Sequence, residues 1–70
     1  MTIDAIKELV KRNKGELKSF IFHGSRNQID EFQGIITAMY PAVFLIALDD
    51  RQIRSFSYSD LLVSNLEIID

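Results

Sequence analysis

The sequence predicts a mainly β fold: an N-terminal α-helix followed by five short antiparallel strands that curl into a small barrel. Three observations carry this. Apolar residues fall at helical spacing before Gly15 and at strand spacing after it. Segments rich in aromatic and β-branched residues then recur, separated by Gly, Asn, Asp and Pro. With 70 residues the chain has a thin core. A short sheet bent at a glycine hides its edges best by closing on itself.

The helix is expected from Thr2 or Asp4, either of which can cap the first turn with a side-chain oxygen. Ile3, Ile6, Leu9 and Val10 form its apolar stripe, which could plug one end of the barrel. Lys11, Arg12 and Lys14 crowd its end, where cations suit the negative pole of the helix dipole. Gly15 can take the left-handed conformation that stops it. Leu17 to His23 reads as the first strand, with Phe20 and Phe22 on one face, and Gly24 to Gln28 as a loop. Phe32 to Tyr40 is the second strand, and Gly34 within it suggests a bulge or sharp bend. Pro41 lacks a backbone donor and belongs at a strand end. Ala42 to Leu48 has no polar face, which predicts a central strand covered on both sides. Asp49 to Gln52 is a turn, Ile53 to Tyr58 a fourth strand, Ser59 to Leu62 one helical turn, and Leu66 to Ile69 a fifth strand.

Composition bounds the function. Hydrophobic residues make up 47% of the chain and charged residues 26%, a globular balance. We expect a single domain over residues 1–70, with the helix in 1–14 and the barrel in 17–70. No cysteine is present, so disulfides, thiolate metal sites and cysteine nucleophiles are excluded, and His23 alone cannot make a histidine-rich metal site. Ala42 to Leu48, the longest apolar run, is far shorter than the roughly 20 residues of a membrane helix. The Met-Thr-Ile-Asp start has neither the basic nor the apolar segment of a signal peptide. A soluble, cytoplasmic chain is expected.

The net charge of −2 is unevenly spread: residues 1–28 carry +3 and residues 29–70 carry −5. Lys11, Arg12, Lys14 and Lys18, with Arg26 across the first loop, are the candidate contacts for an acidic partner or a phosphate. Ser57, Ser59, Asp60 and His23 supply the residue types of a hydrolase triad. No nucleophile-elbow glycines flank either serine, however, and a barrel of this size has little room for a preorganised pocket. Asp49 and Asp50 lack the 6–8 oxygen ligands that calcium prefers, so turn chemistry explains them better. An enzyme, a cofactor and a metal are therefore not expected. The thin core favours self-association, and a homodimer is expected.

The element order resembles that of SH3-like and Sm-like barrels, an analogy of fold that carries no function by itself. A more specific resemblance lies in two motifs. Gly34-Ile35-Ile36 leading into Tyr40-Pro41-Ala42-Val43-Phe44, and then Phe56-Ser57-Tyr58-Ser59-Asp60-Leu61-Leu62, are similar to the two signatures of the Veg family of small Firmicutes proteins. Gly34, Tyr40, Pro41, Val43, Phe44, Ser57, Tyr58 and Asp60 carry the likeness, and mainly structural roles suit them. The chain departs from the family pattern in a shorter turn at Asp49 to Gln52, in Phe56 where a tyrosine is usual, and in a first loop that keeps only Arg26. The resemblance implies a cytoplasmic, non-enzymatic protein that modulates transcription in biofilm formation by contacting a transcription regulator. The alternative is an Sm-like protein that binds RNA or DNA directly through its basic N-terminal half.

Overall fold

Thr2 starts the first helix, α1 (Ile3–Asn13), its hydroxyl accepting from the Ala5 amide at 3.2 Å. Such a cap stabilises a helix by about 1 kcal/mol. The computed structural model describes residues 2–25 and 27–69. Ile6 and Val10 bury the apolar stripe of α1, with Ile3 packed beside them. Lys14 caps the C-terminus and Gly15 follows at φ 87°, the left-handed region expected of it. The Gly15 amide then donates to the Ile36 carbonyl at 3.0 Å, which fixes the end of α1 against the sheet.

The strands are β1 (Leu17–His23), β2 (Ile29–Met39), β3 (Val43–Leu48), β4 (Ile53–Ser57) and β5 (Leu66–Ile68), with a short helix, α2 (Tyr58–Leu62), before the last. They form one antiparallel sheet in the order β4-β3-β2-β1-β5. β2 begins three residues earlier than the sequence suggests. Ile29, Asp30 and Glu31 pair with His23, Phe22 and Ile21, so ladder pairing overrides the poor strand propensity of the acids. α2 likewise starts at Tyr58 rather than Ser59, because Ser57 is its cap.

The inner face of the sheet holds Phe20, Ile36, Phe44, Ile46, Phe56 and Leu66, buried in one cluster with Ile6 and Val10 of α1 and Tyr58 and Leu61 of α2. Each such side chain contributes about 1.5–3 kcal/mol on leaving water. Curvature is strong. Phe22 on β1 and Phe56 on β4 have ring centroids 5.4 Å apart, although two strands lie between them. In a flat sheet the three strand steps alone would separate them by about 14 Å, and the register adds most of the length of β2 to that, since Phe22 is level with Asp30 and Phe56 with Met39.

The sheet nevertheless does not close. β4 and β5 are its two edges, with no ladder between them among the described residues, so the closed barrel is corrected to an open, curled sheet. Two local features accompany this: β5 has only three residues, and α2, with Tyr58 and Leu61 buried, forms the connection between β4 and β5.

The bulge also sits elsewhere than Gly34. Ile36 pairs with Ile46 but Ala38 with Leu45, which leaves Thr37 as the extra residue. Gly34 serves close approach instead: a Cβ there would lie 2.5 Å from Ile46 Cγ2 and 2.8 Å from the Ala47 carbonyl. A second correction concerns β3. Phe44 and Ile46 are buried on the inner face, but Val43, Leu45 and Ala47 are only half-buried, so the strand is covered on one side.

Candidate interaction surfaces

The basic cluster is built by the stop of α1 and the start of β1. Lys11 and Arg12 occupy the last helical turn and are exposed, where their charge also suits the helix dipole. Lys14, the cap, is exposed as well. Lys18 is half-buried and its Nζ lies 3.9 Å from Glu16 Oε2, a loose surface pair worth little. Among the described residues Lys11, Arg12 and Lys14 have no carboxylate partner. Residues 11–18 thus carry four cations and one acid on one connection. Arg26, the fifth expected contact, lies outside the described residues.

The family-like motifs have structural work. Ser57 and Asp60 form a capping box: the Ser57 hydroxyl accepts from the Asp60 amide at 3.3 Å, and Asp60 Oδ2 accepts from the Ser57 amide at 3.1 Å. Tyr58 is buried, its ring centroid 5.4 Å from that of Phe44 and 5.3 Å from the Lys7 ammonium. Its hydroxyl donates to the Tyr40 carbonyl at 2.7 Å, and burial raises the phenol above its ordinary pKa. The Tyr40 amide donates to the Val43 carbonyl at 2.8 Å, closing the turn that holds Pro41. Phe44 belongs to the core, Val43 stands half-buried on the outer side, and Gly34 lies under Ile46.

The triad residue types serve other partners. His23 Nε2 meets Glu67 Oε2 at 2.7 Å on the outer face, while Ser57 and Asp60 bond each other. No group of three His, Asp or Glu side chains among the described residues could hold a metal ion. Asp50 Oδ1 accepts from the Gln52 amide at 3.1 Å, the turn role expected of that pair. No helix among the described residues is long and apolar enough to cross a membrane.

Two features escape a reading of the sequence. Arg54 lies on the inner face, its guanidinium carbon 4.9 Å from the Phe32 ring, 5.0 Å from Phe56 and 5.7 Å from Phe22. Strand alternation could have placed it there, since it shares parity with Phe56. The second is the outer face, where Leu17, Ile35 and Ile53 stay exposed. The two-sided apolar pattern of β3 was the available signal.

Comparison with known proteins gives a concordant result. A family model described as biofilm formation stimulator VEG matches residues 1–69. No curated protein matches the chain.

Proposed function

The chain belongs to the Veg family of biofilm formation stimulators, and from that premise we propose that it is a non-enzymatic, cytoplasmic interaction module that modulates transcription by contacting a transcription regulator. The observation that carries this reading is the basic end of the molecule. Lys11, Arg12 and Lys14 project from the end of α1 without ion pairs among the described residues, beside Lys18 at the start of β1. Charges held at the surface and not neutralised within the fold are suited to steering an acidic partner, because complementary potentials raise the rate of encounter. The biofilm role of the family supports a regulatory task. Ser57 and Asp60 of the hydrolase-like set are engaged in the cap of α2, and Tyr58 and Tyr40 of the motifs in one bond between that helix and a turn, which supports a binding task over a catalytic one. We further read the curled sheet and its order β4-β3-β2-β1-β5 as an open variant of the SH3-like and Sm-like plan.

The test is charge reversal. A chain carrying Lys11→Glu, Arg12→Glu and Lys14→Glu alters exposed positions at the negative pole of α1, so it should unfold at a lower temperature than the parent but remain folded under the assay conditions, which its circular dichroism checks. Expressed in a host lacking the parent chain, it should fail to restore biofilm mass and the associated transcript pattern. Full restoration by a folded charge-reversed chain would overturn the proposal. If the parent chain instead binds nucleic acid with a steep dependence on salt, direct phosphate binding replaces the regulator as the mechanism.

A further inference from the structure

Arg54 has a place in the fold that neither motif nor the basic end explains. It stands opposite the buried Ile46, which turns it to the inner face of β4. The curl of the sheet brings Phe22 of β1 and Phe32 of β2 to meet it there, so its guanidinium carbon lies within 6 Å of three ring centres. Phe32 and Phe56 are parallel within 7° at a centroid separation of 5.9 Å, and Phe22 stands 5.4 Å from Phe56.

This cation has no counter-charge. No ion pair and no side-chain hydrogen bond among the described residues involves Arg54. The residue is half-buried, yet no side-chain nitrogen among the described residues is both buried and unpartnered. Its N–H donors therefore reach solvent while the guanidinium carbon rests among the rings. An unpaired cation held partly out of water attracts an anion more strongly than a fully solvated one does, because the local dielectric is lower. The rings also restrain a long side chain, so less rotamer freedom is lost when an anion binds.

We propose that Arg54, seated on Phe22, Phe32 and Phe56, is a binding site for the carboxylate of an organic acid with an apolar body, a site that does not depend on the regulator reading. The surroundings select this chemistry. Phe22 and Phe32 are half-buried, so a ligand on the guanidinium meets ring carbon beside it. Asp30 shares the face, opposite Phe22 and two residues before Phe32. Asp49, Asp50 and Arg51 are exposed in the turn that leads into β4, and Lys18, opposite Gly34, keeps Glu16 as its loose partner. A phosphate brings more charge, and no apolar part, to rings and neighbouring aspartates. A carboxylate on an apolar body brings one charge and matches the fork with two parallel hydrogen bonds. Its carbon then covers ring surface that is otherwise left to water.

Titration of the isotopically labelled full chain with benzoate at neutral pH, followed by NMR, tests this. The Arg54 side-chain Nε–H signal and the amides of Phe22, Phe32 and Phe56 should shift along one saturable curve in the millimolar range. Inorganic phosphate should give no saturable shift at Arg54. Arg54→Lys keeps the charge without the fork and should bind benzoate about tenfold more weakly, its fold checked by circular dichroism. N-acetylphenylalanine carries the same carboxylate on a peptide end, and its affinity relative to benzoate separates a chain terminus from a free acid as the source. Absence of a saturable shift in the parent, shifts confined to Lys11, Arg12 and Lys14, phosphate binding at Arg54 as tight as that of benzoate, or undiminished affinity in a folded Arg54→Lys chain would each overturn the proposal.

Discussion

The Tyr58 hydroxyl donates to the Tyr40 carbonyl at 2.7 Å. This bond joins the first turn of α2 to the hairpin turn between β2 and β3, eighteen residues away in sequence. It also links the two motifs that carry the family likeness, so each makes sense only in the presence of the other. Tyr40-Pro41 shapes the turn that offers the carbonyl, and the Ser57–Asp60 box orients α2 so that Tyr58 reaches it.

Removing that hydroxyl should be measurable in two ways. Tyr58→Phe should lower the stability to denaturant by about 1 kcal/mol, the net worth of one such bond. The parent should in addition lose stability at alkaline pH. The Tyr58 phenol is neutral when protonated and burial raises its pKa in the folded state, so its contribution is full below the ordinary tyrosine value of about 10. It is lost as pH rises through the folded pKa. Denaturant midpoints followed across that range should fall more steeply for the parent than for Tyr58→Phe.

The capping box should behave as one unit. Ser57→Ala and Asp60→Ala should each cost about 1 kcal/mol. The double variant should cost less than the sum, because both bonds belong to one reciprocal pair. A double-mutant cycle by chemical denaturation reads this directly, and strict additivity would count against the box.

Gly34→Ala should destabilise the chain by about 2 kcal/mol, the order of magnitude for overpacking. The added methyl meets the Ala47 backbone, which cannot swing aside as a side-chain tip can. Gly15→Ala meets no atom within 4 Å but must hold φ near 87°, so its cost should be about 1 kcal/mol from backbone conformation alone. Equilibrium unfolding of the two variants separates crowding from conformational strain.

Arg54→Met keeps the length of the side chain but removes the guanidinium from three phenylalanine faces. A loss of about 1 kcal/mol is expected, and it should shrink in a Phe32→Leu background, where the nearest ring is absent.

Much of this fold was legible in local pattern. The stripe of Ile3, Ile6, Leu9 and Val10 marks α1, the positive φ of Gly15 follows from its place after the helix, and β1 matches its expected range. The departures arise where tertiary pairing decides. Asp30 and Glu31 are strand residues only because β1 lies beside them. The extra residue falls at Thr37, whereas Gly34 admits the close approach of Ile46 and Ala47. That β4 and β5 stay unpaired edges is a property of the whole sheet, which no spacing in the chain announces. Of the candidate sites, the basic cluster could be read from charge alone, whereas the ring setting of Arg54 depends on the curl of the sheet and became visible only in the fold.

Under the proposed function the basic end at Lys11, Arg12 and Lys14 engages a transcription regulator. Photo-crosslinking in living cells tests it most directly, with a photoreactive residue placed at Lys14 and adducts identified by mass spectrometry. The account predicts an adduct between Lys14 and a DNA-binding regulatory protein, lost when Lys11 and Arg12 are reversed to glutamate. An adduct with nucleic acid alone, or a protein adduct that persists after charge reversal, would contradict it.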